Sequence, residues 1–350
     1  MLGVSHLPIA GVIALFLLAA TVVWIAGTRL AIVGDQLADR FQLTREFIGL
    51  IFLALVTELP EIVTTITSAQ VENAALVLGN MFGGITMQTA ILAVADFFVV
   101  HQALSSWPRK PSHAVVALVL VMLLSSLLAI TLAGEIALPL EIGVGAVCLS
   151  FAYPLAILFL RRAGENVGWV PVDLPSEIEA PPIIPDADHS APPRSDRQLL
   201  AAALIYSGCI MVAGVALALS ADALAEKSSL GSSFIGVTLL AAATSMPELS
   251  TTLAAARIGA YTMAISNIFG SNLIMLALLL PADIAYRNGP ILAEADAGAQ
   301  FSIATGILVT AIYVTGMLVR RVPSYRGAGF DSWVVMAVYL GSLGVLYGLQ

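Results

Sequence analysis

Charge is what this sequence has least of: Asp, Glu, Lys and Arg together make up 11% of its 350 residues against 59% hydrophobic, and the mean hydropathy is +0.95. A soluble globular domain carries about a quarter charged residues, so that class is excluded. Cysteine is nearly absent: Cys148 and Cys209 both fall within long apolar stretches, which argues against a disulfide framework or thiolate metal site and leaves two small apolar packers. The four histidines, His6, His101, His113 and His189, fall in predicted loops or at helix ends, with neither an HExxH zinc motif nor a nucleophilic triad. An intramembrane enzyme would have only a Thr-Glu cluster for acid/base chemistry, and turnover without ion flux would be its mark. The alternation of apolar and polar residues that builds a transmembrane β-barrel is missing too.

What is there is a succession of apolar runs. A helix needs ~20 apolar residues to cross the hydrocarbon core, and ten such stretches occur, at roughly 10–33, 46–69, 74–100, 113–132, 137–160, 198–221, 232–256, 260–284, 301–320 and 332–349. The expected fold class is therefore an all-α polytopic membrane protein of about ten transmembrane helices. The first run leads into Asp35, Asp39 and Arg40 without a convincing cleavage site and reads as a retained helix. The lipid bilayer is the implied surrounding, and nothing suggests a nucleic-acid partner.

With the N-terminus outside, Arg40, Arg45, Arg109, Lys110, Arg161, Arg162, Arg194, Arg197, Arg257, Arg320, Arg321 and Arg326 lie on the inner side, twelve of the fifteen basic residues. Lys227 and Arg287 face out, and Arg29 snorkels from the first helix. This agrees with the positive-inside rule and places both termini outside a bacterial-type inner or plasma membrane. Residues 161–197 form the only long hydrophilic stretch, rich in proline and acids, and read as a flexible cytoplasmic linker in which Asp186, Asp188 and His189 are more simply a solvated charge run than an ion site.

The two sides of this linker repeat each other. Thr57, Pro60, Glu61, Thr64, Thr65, Ala69, Asn80, Phe82 and Gly83 match Thr244, Pro247, Glu248, Thr251, Thr252, Ala256, Asn267, Phe269 and Gly270, every pair 187 positions apart with no gap. Gly27 with Gly214, Asp35 with Asp222 and Asp96 with Asp283 extend the register. Five helices in each half is an odd number, so the second copy enters the membrane upside down: an inverted 5+5 repeat, typical of alternating-access transporters. The expected domains are a first repeat over 1–160, the linker over 161–197 and an inverted second repeat over 198–350.

Glu61 and Glu248 are predicted near the middle of the second and seventh helices, where an ionised side chain costs ~3 kcal/mol on insertion scales. Each follows a proline, which frees a backbone carbonyl about four residues upstream, at Val56 and Ala243, beside Thr57 and Thr244. A carboxylate, bare carbonyls and a threonine are hard oxygen ligands, suited to Na⁺, Ca²⁺ or Mg²⁺. Inversion brings the two clusters together at the bilayer midplane. The glycine-rich segments 79–84 and 267–272 suit close helix packing and carry Asn80, Asn267, Ser271 and Asn272 toward the carboxylates. The competing reading of each Glu is a protonated group that hydrogen-bonds helix to helix.

At these residues the sequence resembles the calcium/cation antiporter superfamily, which includes the sodium/calcium exchangers and whose two α-repeats carry Gly-Thr-Ser-x-Pro-Glu followed by Gly-Ser-Asn. The second repeat reads Ala243-Thr244-Ser245-Met246-Pro247-Glu248 and then Gly270-Ser271-Asn272, a close match; the first reads Val56-Thr57-Glu58-Leu59-Pro60-Glu61 and then Gly83-Gly84-Ile85, a degenerate one. The resemblance implies a secondary antiporter without a cofactor, a monomer or weak homo-oligomer, exchanging Ca²⁺ for Na⁺ or H⁺. It makes Glu61 and Glu248 the central carboxylates, with Thr57, Thr244, Ser245 and Ser271 lining the ion sites. Where exchangers place serine this chain has Glu58 and Gly84, and where they commonly place Asn or Asp it has Gln88 and Met275. Glu58 adds a carboxylate while Met275 supplies no oxygen, which redistributes the acids and suggests that Glu58 titrates during transport, since two close carboxylates in a dry site resist ionising together. A transport-inactive homologue that binds a cation, or serves a partner, is the alternative the degenerate motif raises; a channel is a weaker one, because an inverted repeat favours gating one side at a time.

Overall fold

Apolar runs of this length satisfy their backbone in lipid only by becoming helical, and the computed structural model is helical almost throughout. It describes residues 4–100, 103–108, 111–165, 195–227, 234–320 and 322–349. The first half comprises α1 (Ile9–Arg40), α2 (Arg45–Thr57), α3 (Leu59–Gln70), α4 (Ala74–Ala95), α5 (Ser112–Ala133) and α6 (Val144–Glu165). The second comprises α7 (Asp196–Lys227), α8 (Phe234–Thr244), α9 (Met246–Arg257), α10 (Tyr261–Ala277), α11 (Leu279–Ala285), α12 (Ala297–Val319) and α13 (Phe330–Gly348), the last preceded by a small antiparallel hairpin of β1 (Ser324–Tyr325) and β2 (Ala328–Gly329). Among the described residues, seven helices are long and apolar enough to cross a membrane, or eight with α2 and α3 taken as one bent span. The chain is thus a polytopic helical membrane protein. Its outer surface carries large apolar side chains, Leu17 and Leu18 on α1 and Leu204, Ile205 and Val212 on α7 among them, while Glu58, Glu61, Glu248, Asp96 and Asp283 are buried.

Element boundaries carry the offset seen in the sequence. The starts of α1 and α7, their ends, the ends of α2 and α8, both ends of α3 and α9, and the starts of α4 and α10 all differ by 187 positions. Equivalent helices α1 and α7 pack along each other in opposite directions, since Arg40 at the end of α1 pairs with Asp196 at the start of α7 at 2.6 Å and Ala19 clusters with Leu217 and Ala221. This peripheral pair lies across the core, α1 on α9 and α7 on α3. Gly27 and Gly214 make the crossings possible: a Cβ at 27 would strike the Ser250 hydroxyl and one at 214 the Pro60 ring. α4 and α10 are buried at the centre.

Several boundaries differ from expectation, each with a local cause. α1 and α7 run a turn or two beyond the apolar limits, to Arg40 and Lys227; the α1 extension is held by Arg45, whose Nε donates to Asp35 at 2.5 Å and whose guanidinium sits 3.2 Å from Asp39. Of the stretch 161–197 expected as a linker, residues up to Glu165 continue α6 and those from Asp196 begin α7; Asp186, Asp188 and His189 lie outside the described residues. The stretch expected to begin a helix at 137 is first a tight non-helical turn, with Leu140 and Glu141 at φ 71° and 62°, and the helix starts at Val144. The helix expected over 260–284 breaks at Leu278, where Pro281 removes a donor. Ser150 of α6 repairs the break, donating to the Ala277 carbonyl at 2.9 Å and accepting from the Leu280 N–H at 2.9 Å. Cys148 is exposed on α6 rather than packed inside.

The paired aspartates Asp96 and Asp283 hold loops across the repeat. Asp283 accepts the Ile291 N–H of its own half and the Gly143 N–H that leads into α6, both at 2.6 Å. Asp96 accepts the Leu104 N–H at 2.6 Å, the Gly329 N–H at 3.2 Å and the Ser332 hydroxyl at 2.6 Å, the latter two from the far half. Asp283→Ala strands two buried backbone donors at about 1–3 kcal/mol each, so the protein is expected to melt roughly 3–8 °C lower. A melting curve within about 2 °C of wild type would show that these bonds are dispensable.

Candidate cation site

The second expected span is broken at Glu58, where α2 and α3 meet at 44°, and the seventh at Ser245 between α8 and α9. Pro60 and Pro247 cause this: each is the second residue of its new helix, a position where a missing N–H costs nothing because first-turn donors have no partner in the helix. Glu61 and Glu248 therefore stand in the first turn of α3 and α9, at the positive ends of those half-helices. Thr57 and Thr244 close the preceding helices, their hydroxyls donating back to the Leu53 carbonyl at 3.0 Å and the Leu240 carbonyl at 3.1 Å.

The structure brings Glu58, Glu61 and Glu248 together, with one carboxylate oxygen from each within 4.8 Å of the others. All three are 0% exposed, and among the described residues none forms an ion pair with Lys, Arg or His. The Gln88 Nε2 donates to Glu58 Oε1 at 2.8 Å, and the other five carboxylate oxygens have no hydrogen-bond partner. Thr57 and Ser271 face Glu248, and Thr244 faces Glu61, without closing hydrogen bonds to them. Each threonine thus faces the carboxylate of the opposite half.

The remaining expected residues fall around this centre. Thr57 Oγ1 and Ser271 Oγ lie 3.5 Å apart, and Thr244 Oγ1 donates to Asn80 Oδ1 at 3.4 Å. Ser245 is buried at the break with its hydroxyl unpartnered. Asn267 turns its amide to Thr251 and Thr252, at 3.1 and 3.2 Å, rather than to a carboxylate, and its Oδ1 has no partner. Sequence reasoning passed over Thr89, which accepts from Asn272 Nδ2 at 3.2 Å and leaves the Asn272 Oδ1 free. Its repeat equivalent is Leu276, so the search for matched pairs hid it.

Buried carboxylates with bare oxygens and no counter-charge are unstable as anions unless a cation joins them. Three oxygens no more than 4.8 Å apart can have a common centre about 2.8 Å from each or nearer, close to the 2.3–2.6 Å of Ca²⁺–oxygen bonds. The donors are all hard oxygens, which fits Ca²⁺ or Na⁺ and not a soft metal. Fold and site together define a membrane protein with a buried cluster of three carboxylates enclosed between broken helices.

Comparison with known proteins agrees. A family model described as "Sodium/calcium exchanger protein" matches residues 11–161 and again 199–348, and the chain belongs to that family, whose members are cation antiporters rather than enzymes. It is 25% identical to the inner membrane protein YrbG of Escherichia coli (strain K12) over 344 residues, 94% of this chain and 98% of that one. Its fold is that of the sodium-calcium exchanger NCX_Mj. The structure of NCX_Mj soaked with 2.5 mM Na⁺ and 0.1 mM Sr²⁺ superposes with a TM-score of 0.68 at 17% identity over 96% of this chain and 99% of that one. A form soaked with 100 mM Na⁺ and 10 mM Sr²⁺ superposes with a TM-score of 0.69 at 16% identity over the same shares.

Proposed function

We propose that this antiporter exchanges Ca²⁺ for Na⁺ or H⁺ at the Glu58–Glu61–Glu248 cage near the bilayer midplane, by alternating access. The observation that carries the reading is the set of five unpartnered carboxylate oxygens in a fully buried centre without a basic residue. Thr57, Thr244, Ser245, Ser271, Asn80 and Gln88 complete the lining, and Asn267 stands behind it. The transported cations are its ligands, and it needs no cofactor. The halves 1–160 and 198–350 act as inverted five-helix repeats joined by a cytoplasmic linker, both termini lie outside, and the protein works as a monomer or weak homo-oligomer. The α1–α7 pair slides over the core to switch access, as its glycine crossings allow.

The test is ⁴⁵Ca²⁺ uptake into proteoliposomes driven in turn by an outward Na⁺ and an outward H⁺ gradient. Uptake that follows one gradient names the counter-ion. Absence of uptake under both, in folded protein that still binds cations, would favour the transport-inactive homologue, the reading that Gly84 and Met275 in place of oxygen-bearing side chains support.

Protons and cations compete for carboxylates, so uptake at fixed Ca²⁺ is expected to fall as the pH is lowered. Glu58→Gln removes one proton acceptor while keeping the shape that bonds Gln88, and should flatten that pH profile. An unchanged profile would mean that Glu58 takes no part in the competition.

A further inference from the structure

Positions 84 and 271 are equivalent in the repeat, as are 88 and 275, and 58 and 245. A symmetric cage would present the same chemistry on both flanks. On one flank Glu58 is bonded by Gln88 and Ser271 turns its hydroxyl toward the acids. On the other, the same three positions hold Ser245, Met275 and Gly84. Met275 is fully buried, and its Cε would lie 3.0 Å from a Cβ built on Gly84, tighter than ordinary contact. The methionine methyl therefore occupies the space into which a side chain at 84 would grow. A serine at 84 would require the Met275 methyl to give way by a few tenths of an ångström, so the two departures adjoin each other in space. Ser245 records the loss: it is 1% exposed and its hydroxyl has no partner, where its counterpart Glu58 has Gln88. A thioether is a soft, weak acceptor that does not replace the shell of a hard cation.

We propose that Met275, seated over Gly84, plugs one of the two equivalent flanks of the cage, so that cations bind on the Glu58–Gln88–Ser271 side alone and fewer are carried per cycle than a symmetric cage would hold. The plug rests on the reading of the cage as the cation site. Met275 and Gly84 are then specificity-determining residues, acting by withholding oxygens.

The experiment is equilibrium ⁴⁵Ca²⁺ binding to the purified full-length protein, competed with Na⁺, for wild type, Gly84→Ser/Met275→Gln, Met275→Gln alone and Met275→Leu. Wild type should be competed with a Hill coefficient of about 1 and the double variant with one rising toward about 2, since the coefficient is bounded by the number of coupled sites. The Na⁺ concentration for half-competition should fall roughly tenfold, the effect of about 1.4 kcal/mol of added ligation. Met275→Leu, which keeps the plug apolar, should behave as wild type. If the double variant fails to fold, Met275→Gln alone, close to the native shape, carries the test with a smaller shift in the same direction. Wild-type binding with no change in the glutamine variants, or an equal change in Met275→Leu, would overturn the plug and leave the cage standing. No ⁴⁵Ca²⁺ or ²²Na⁺ binding by any form would sink the cage as a cation site and the plug with it.

Discussion

Glu248→Gln is expected to abolish Ca²⁺ uptake while leaving the protein folded, and Glu61→Gln to do the same. Each removes one of three fully buried charges that face a common centre. Truncating one member of a buried charge set costs about 2–5 kcal/mol in binding, which is roughly 30-fold to several thousand-fold in affinity. Stability should move the other way. Without a bound cation the native carboxylates repel one another in a site that offers them almost no hydrogen bonds, and a neutral amide relieves that repulsion. In cation-free buffer the variants should melt at or above the wild-type temperature, and added Ca²⁺, which raises the wild-type melting temperature by linkage, should leave theirs unmoved. Uptake within threefold of wild type in either variant would exclude the cage as the transport site.

The second large effect is expected at the crossing of α7 over α3. A Cβ at position 214 would run into the Pro60 ring, which cannot rotate aside, whereas at 27 it would meet the hydroxyl end of the Ser250 side chain, which has other rotamers. Gly214→Leu should therefore wedge the peripheral pair against the core and slow exchange more than tenfold, with a smaller loss of equilibrium ⁴⁵Ca²⁺ binding because the wedge presses on Pro60, the neighbour of Glu61, and not on the carboxylates themselves. Gly27→Ala should be milder. Gly208→Leu is the control, since a Cβ there has no described neighbour within 4 Å. Equal exchange rates for the 208 and 214 variants would show that α7 does not move against α3 during transport.

The clustering of Glu58, Glu61 and Glu248 was readable from sequence because acids inside apolar helices admit few explanations, and because Pro60-Glu61 and Pro247-Glu248 occur in one unbroken register. Composition likewise fixed the fold class, since lipid leaves the backbone little choice. What escaped was decided by contacts between distant residues. Nothing local indicates that Thr57 faces Glu248 and Thr244 faces Glu61, which is a product of the antiparallel arrangement. The break at Leu278 is tolerable only because Ser150 arrives from another helix, and the apolar residues before Val144 look like helix until Leu140 and Glu141 take left-handed conformations. The departures Gly84 and Met275 were visible one by one. Their mutual contact was not, since it joins α4 to α10.

The exchange of partners between halves also sets the order in which the molecule can be made. When the first half has left the ribosome, Glu58 and Glu61 still lack Glu248, Ser271 and Thr244. Asp96 lacks Gly329 and Ser332, which follow it by 233 and 236 positions, and α1 waits for α7 to supply Asp196. Helices can insert one after another, but the carboxylate cluster and its ties close only once the second half has followed the first. The nascent first half must hold two uncompensated acids in or near the bilayer until then, so its maturation is a late, concerted event rather than a sequence of finished halves.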